Sequence, residues 1–436
     1  MHSDFAVETK RVADRVRSLS ASCPFGFWFL TDLHVPSNNG VSADLIARLS
    51  ADTGVRTVVC GGDIPEAFGD RASLDRSIER YRLNWADAIE RAGCDFFPIH
   101  GNHDFTIRAA PDSDDGFTLP ASRTREILLD TAAVRARAET HEESCAYFAD
   151  LQEAKSRLVV TDCSDSVTSE RRFWAVQDGM SKSQVLWLAG RALADVPDGW
   201  NVVVAGHEPL AGVGATDAER ELFAPLRAVV EAYAARSAAT VFGRTFDYSG
   251  ARGRLFLSLS GHHHAELQSS ISGIWHVTEP CDAAYLDYIN RSMPWCPALP
   301  EKKPGTWAGQ TFDAVQIDPE RSIVHFTRVG GGTDRTLHAS PRILAAGEKT
   351  DFSLALSSSS DTAGAPVAAQ WGAYDSLRAH PRPNPARKYD FFTDYDSTVG
   401  RISPDGVFEA VSPGDATVVA TLKDGSREYF QATVRA

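Results

Sequence analysis

The chain has 436 residues, 43% of them apolar and 23% charged; that length exceeds one ordinary domain, and the balance is that of a globular fold with a sizeable core. No run of eighteen or more apolar residues occurs, which excludes an ordinary membrane-spanning helix. The net charge is −14, of which residues 339–436 carry −2 and the first 338 carry −12; this acidity repels a polyanion and weighs against nucleic acid as the main substrate, although bound metal ions invert a local field.

The first twenty residues, MHSDFAVETKRVADRVRSLS, mix both charge signs around no apolar centre. They do not read as a signal peptide. Phe5, Val12, Val16 and Leu19 fall near helical spacing, so an amphipathic helix is expected. Short apolar runs follow that read as buried strands: FGFWFL (25–30), VRTVVC (55–60), DFFPIH (95–100), SRLVVTD (156–162), NVVVAG (201–206) and RLFLSLSG (254–261). Helical patterns alternate with them at 43–50, 73–93, 181–193 and 217–237, and Ser181 followed by Gln184 suits a capping box. Such alternation predicts an α/β layered domain. Further strands are expected within 272–280 and 311–330.

From about residue 340 helical patterns vanish, and FSLALS, TVVATL and REYFQATVRA alternate apolar with other residues. The turns at 404–406, 412–415 and 423–426 carry DG or PG and separate short strands. This predicts a small all-β sandwich over 339–436 after an α/β domain at 1–338. The seven cysteines include no CxxC pair. They read as reduced structural thiols, Cys60 and Cys163 as buried small apolar groups, with a Cys281–Cys296 bridge conceivable in an exported protein.

Five of the apolar runs present a polar residue immediately beyond the carboxyl end: Asp32 and His34, Asp63, Asn102 to Asp104, His207, and the triplet His262–His263–His264. Binding crevices of α/β sheets form there. In an extended segment His262 and His264 point one way and His263 the other, so the outer pair makes a pincer for a metal while His263 packs or meets solvent. Glycines 61, 62, 101, 206 and 261 allow sharp backbone turns beside these residues. Taken singly, a D-x-H or a GGD is an ordinary turn; the ordered series carries the weight.

That series, DxH, GGD, GNHD, GHEP and GHHH, resembles the calcineurin-like metallophosphoesterase superfamily over roughly residues 22–330, whose blocks run D-x-H, G-D, G-N-H-[DE], H and G-H-x-H. The resemblance implies an α/β fold of two facing β-sheets flanked by helices, with two metal ions between strand ends. It places Asp32, His34, Asp63 and His264 on one metal and Asp63, Asn102, His207 and His262 on the other, Asp63 bridging. The mixed nitrogen and oxygen set suits Mn, Fe, Zn or Co better than Ca or Mg. The implied reaction is phosphoester hydrolysis by a metal-bridging hydroxide, with His103 protonating the leaving group and Asp104 holding the His103 ring.

GGDIPEAF lacks the D-x-x-D-R-G of the Ser/Thr protein phosphatases, and no tyrosine stands where purple acid phosphatases have theirs. A phosphodiesterase-like reading remains, for small-molecule, lipid, nucleotide or cell-wall phosphoesters. Arg244, Tyr248 and Arg252 are candidate substrate contacts, and TRVGGGTDR (327–335), with no helix behind it, reads as linking structure. The segment STVGRISPDGVFEAVSPGDATVVATLKDGSREYFQATV resembles bacterial Ig-like domains of the group 2 type, which implies an extracytoplasmic or cell-surface role. The rival reading is a surface-binding or adhesion protein whose metal site is structural or vestigial.

Overall fold

Period-two burial builds the centre of the molecule. In the strand Asn201–Ala205, Val203 and Ala205 enter one buried cluster while Val202 and Val204 enter another. The neighbouring strand Ser156–Val160 divides the same way, with Leu158 and Val160 on one side and Val159 on the other. A sheet whose two faces are both apolar must be covered on both. The structure, a computed structural model, describes residues 3–35, 40–65, 67–68, 70–108, 117–165, 179–213, 215–283, 302–359, 367–377 and 397–436.

Two large sheets face each other across the shared core. The first is ordered Gln370–Asp375, Gly414–Thr421, Arg427–Arg435, Arg335–His338, Ile323–Gly330, Thr311–Asp318, Phe25–Leu30, Thr57–Cys60, Asp95–Pro98. Its last three strands are parallel. The second is ordered Leu267–Ile271, Ile274–Thr278, Arg254–Ser260, Asn201–Ala205, Ser156–Val160, Tyr147–Leu151, Ala138–Thr140, with parallel pairing from Ile274–Thr278 through Ser156–Val160. Helices Ser3–Leu19 and Val41–Thr53 cover the outside of the first sheet. The Trp28 indole N–H donates to Ser50 Oγ at 2.9 Å, and Gln316 Nε2 donates to the Val16 carbonyl at 3.1 Å. Helices Lys182–Trp187 and Ala224–Ala235 cover the second through Val185, Leu226, Val229 and Val230. Phe5, Val12, Val16 and Leu19 are all buried, as their spacing predicts.

The expected strands and helices thus form, as a mixed α/β architecture, with two corrections. FSLALS is not a strand: Phe352–Ser359 is a helix, because Phe352 and Leu356, spaced i and i+4, both reach the core while Leu354 lies 69% exposed. The capping box at Ser181 is only half made. Ser181 Oγ accepts from the Gln184 amide, but the Gln184 side chain instead clasps the backbone of Asp162, accepting from its N–H at 2.9 Å and donating to its carbonyl at 2.8 Å.

The C-terminal strands are present and do not stand apart. Arg427–Arg435 runs parallel to Arg335–His338, so one hydrogen-bonded sheet continues from the α/β part into the last hundred residues. Three short strands, Lys349–Asp351, Val407–Ala410 and Gly400–Ile402, form a second layer over it, closing a separate core around Phe352, Phe408, Val418 and Phe430. TRVGGGTDR is the turn joining two antiparallel strands of that sheet. The described cysteines are all buried and none is in a disulfide, Cys60 and Cys163 included; Cys296 lies outside the described residues, so the pairing with Cys281 does too.

Candidate metal centre

Every expected ligand sits just past the carboxyl end of a parallel strand, three loops from the first sheet and two from the second. Asp32, His34, Asp63 and His264 offer ligand atoms that all lie within 4.8 Å of one another. His264 Nε2 is 3.0 Å from Asp32 Oδ1 and 3.2 Å from His34 Nε2. Beside them, Asn102 Oδ1 is 2.9 Å from His207 Nε2 and 3.0 Å from His262 Nδ1. Asp63 Oδ2 lies between the groups, 3.9 Å from His34 Nε2 and 3.3 Å from His207 Nε2. His103 is adjacent, its ring edge-on to His34 at 5.2 Å between centroids and its Nε2 3.9 Å from Asp63 Oδ2.

The donor chemistry fits a pair of cations. Asp32 Oδ1 is buried with no hydrogen-bond partner, yet an imidazole nitrogen stands at 3.0 Å; a cation would satisfy both. His207 Nδ1 donates to the Gly61 carbonyl at 2.8 Å, which turns the Nε2 lone pair toward Asn102 and Asp63. Burial alone would raise the carboxyl groups here. Instead His264 holds Asp32, and His207 with His103 hold Asp63, well below the usual carboxylate range, so both are anionic. Burial, aided by His263 and His207, pushes His262 down to about 3.

The local backbone is unusual. Asp32, His34, Asp63, His262 and His264 all have positive φ, between 43° and 70°. A left-handed conformation costs a non-glycine residue on the order of 1 kcal/mol or more and persists where the surroundings over-determine it. The GHHH segment is therefore not extended, which corrects the alternation argument. His262 and His264 do reach different groups, but through left-handed turns. His263 is partly buried and packs on an acidic group: its Nε2 lies 3.0 Å from Glu219 Oε1. The glycines also act differently from expectation. Of the five, Gly62 has positive φ, while Gly101 and Gly261 supply room: a Cβ on Gly101 would lie 2.2 Å from the Asp63 nitrogen, and one on Gly261 2.4 Å from Asp32 Oδ2.

Asp104 grips the backbone of two loops. Its carboxylate accepts from the backbone amides of Ile64 at 2.5 Å and Gly101 at 2.7 Å, stapling the Asp63 loop to the Asn102 loop. Burial and the nearby Asp63 raise its carboxyl to about 7. Arg244, Tyr248 and Arg252 are not at the centre. They precede the strand Arg254–Ser260, and His262 follows it; seven residues of strand span roughly 20 Å. Tyr248 is buried, its hydroxyl donating to the Ala189 carbonyl.

Two contributors escaped sequence reasoning. Glu219, whose capping box with Thr216 was legible as T-x-x-E, reaches the histidine triplet. The segment 281–283 clamps the Asp32 loop: Asp282 and Ala283 amides donate to the Thr31 and Asp32 carbonyls, and the Cys281 thiol, kept protonated by burial, donates to Asp32 O at 3.1 Å.

Paired sheets with a donor cluster at their joined carboxyl ends define a metal-dependent phosphoester hydrolase fold. The calcineurin-like phosphoesterase model matches residues 25–266, and the chain belongs to that family. No curated protein matches the chain. Among solved structures it is similar to GAP50, the anchor in the inner membrane complex of Plasmodium, at 12% identity over 69% of this chain and 84% of that one, with a TM-score of 0.37. A predicted phosphoesterase from Streptococcus pneumoniae matches at 10% identity, 71% and 95% coverage and a TM-score of 0.29. Phosphopantetheinyl hydrolase from Mycobacterium tuberculosis matches at 13% identity, 58% and 89% coverage and a TM-score of 0.30.

Proposed function

We propose that this chain is a phosphodiesterase with a dinuclear centre, in which Asp32, His34, Asp63 and His264 hold one divalent transition-metal ion and Asp63, Asn102, His207 and His262 hold the other. The observation that carries this is the position of Asp63 Oδ2 between two imidazole sets. Bound ions of the Mn, Fe, Zn or Co kind would supply Lewis acidity toward the phosphoryl oxygens and lower the pKa of water. His103, beside the centre with its ring outside both ligand sets, gives a proton to the departing oxygen. Asp104, which accepts from the backbone amides of Ile64 and Gly101, fixes the loop that carries His103. Substrates are small-molecule, lipid or cell-wall phosphoesters, the acidity of the chain weighing against nucleic acid.

We assign residues 339–436 as an Ig-like accessory domain, supported by their separate core and hairpin turns, and place the protein outside the cytoplasm on the strength of that resemblance. The test of function is hydrolysis of bis-p-nitrophenyl phosphate against p-nitrophenyl phosphate by metal-loaded protein, with Asp63→Ala and His103→Ala controls. Preferred turnover of the diester, lost in Asp63→Ala, supports the proposal; two bound ions with no turnover of either ester points to a structural site.

A further inference from the structure

His262 shows its two ring nitrogens to different neighbours. Nδ1 faces Asn102 Oδ1 at 3.0 Å and His207 Nε2 at 3.3 Å. Nε2 faces the other way, toward Glu219 Oε1 at 3.8 Å. Glu219 is nearly fully buried, a costly place for a carboxylate unless its oxygens are engaged. They are engaged from both sides. The Thr216 amide donates to Oε2 at 2.5 Å while Thr216 Oγ1 accepts from the Glu219 amide, a reciprocal capping box that opens the helix Asp217–Leu222. The ring of His263 closes the other side, its Nε2 3.0 Å from Oε1 and 3.2 Å from Oε2. The carboxylate is thus fixed at a helix start, beside a histidine whose opposite nitrogen points into the candidate centre.

We infer that Glu219 is a positioning residue for the second metal ion. Once His262 Nδ1 is committed to that ion the ring must carry its proton on Nε2, where the Glu219 charge 3.8 Å away favours it and keeps the ring facing Asn102 and His207. A carboxylate behind a ligating imidazole fixes the ring's tautomer and orientation and strengthens it as a donor. His263, the middle residue of the triplet, acquires a purpose by the same geometry, since it pins the carboxylate from the side that the capping box leaves open. The inference rests on the dinuclear reading above and makes the two ions unequal: the ion of the His262 group depends on Glu219, and the ion of the Asp32–His264 group does not.

The experiment is equilibrium metal binding, with Mn²⁺ and Zn²⁺ as probes, on the full chain and its Glu219→Gln variant. Gln keeps an oxygen and an N–H for the cap and removes the charge, so the fold is checked by an unchanged thermal midpoint and an unchanged first binding step. Expected is about a ten- to hundred-fold loss of affinity for one ion of the two, together with a moved His262 Nε2–H resonance in ¹⁵N spectra of the Zn²⁺-loaded protein. If wild type binds no second ion, the dinuclear reading itself fails. If wild type binds two and Glu219→Gln binds both as tightly with that resonance unmoved, the role given to Glu219 is wrong while the centre stands. Should Glu219→Gln unfold, His263→Gln, which leaves the cap intact and loosens the carboxylate, must weaken the same ion; equal affinities there would overturn the inference.

Discussion

Asp63 Oδ2 lies 3.3 Å from His207 Nε2, and this contact ties the two sheets together. Asp63 follows the strand Thr57–Cys60 of the first sheet, and His207 follows Asn201–Ala205 of the second. Although burial opposes it, Asp63 raises the His207 ring well above its ordinary 6.5, and His207 lowers the Asp63 carboxyl. The Nε2 side that faces Asp63 therefore favours a positive charge, a proton or in its place a metal ion.

Asp63→Asn keeps the shape and removes the charge that both ligand groups share. A metal's stabilisation of transition-state charge is worth several kcal/mol, and each ~1.4 kcal/mol is tenfold in rate. Turnover of a phosphodiester should therefore fall by about 10²–10³-fold or more, with metal content per chain dropping below that of wild type. Elemental analysis alongside kinetics checks this, and full metal content with full turnover would deny Asp63 the bridging place.

His103→Ala separates proton delivery from metal binding. Its backbone amide donates to Asp63 Oδ1 at 2.8 Å, a contact that the substitution keeps, so metal content should stay at the wild-type level. General acids contribute about 10²–10⁴-fold, most where the leaving group is a poor one. The variant should lose that much on an alkyl phosphoester and little on a p-nitrophenyl ester, whose leaving group needs no proton. An equal loss on both would remove His103 from the acid role.

Gly101→Ala and Gly261→Ala test whether space, not backbone freedom, is what those glycines provide. Their added methyls would meet Asp63 at 2.2 Å and the Thr31 hydroxyl at 2.0 Å. Overpacking costs about 1–3 kcal/mol, and here the displaced groups belong to the Asp32 and Asp63 loops. Both variants should melt several degrees lower and bind metal poorly, whereas Gly54→Ala, where a Cβ meets nothing within 4 Å, pays for its left-handed φ alone and should keep its metal. Retention of metal by Gly101→Ala would contradict the close-approach argument.

Much of this centre was readable along the chain because strand direction is: an apolar run followed by a polar residue places that residue at the strand's carboxyl end, whatever the sheet. The same rule could have excluded Arg252, which precedes its strand and so emerges at the far end. What one-dimensional patterns do not carry is the left-handed backbone of Asp32, His34, Asp63, His262 and His264, which is imposed by neighbours distant in sequence. Nor do they carry the pairing of Thr336 with Glu428 that extends the first sheet. FSLALS fits a strand's period and a helical i, i+4 pair equally well, and only the core around Phe408 and Phe430 decides between them.

Behind the centre lies a second charged group with a pH dependence of its own. Arg328 and Arg335, both fully buried, meet Asp313, Glu266 and Glu279: Arg328 is 2.9 Å from Asp313 and 2.7 Å from Glu266, and Arg335 is 2.6 Å from Asp313 and 2.7 Å from each glutamate. Two guanidinium groups face three carboxyls, one more than charge balance needs. Burial, together with Asp313 and despite both arginines, raises Glu279 to about 8, so at neutral pH Glu279 keeps its proton and the group is neutral overall. A carboxyl raised in the folded state lends stability that is complete below its unfolded value, near 4.5, and is lost as pH rises through the folded value near 8. Within that window the loss runs at about 1 kcal/mol per pH unit. Glu279→Gln carries a permanent neutral donor in its place, so thermal melts should show the variant gaining on wild type as pH rises from 6 to 9. Parallel melting curves across that range would mean that Glu279 is ionised throughout and that the third negative charge is balanced elsewhere.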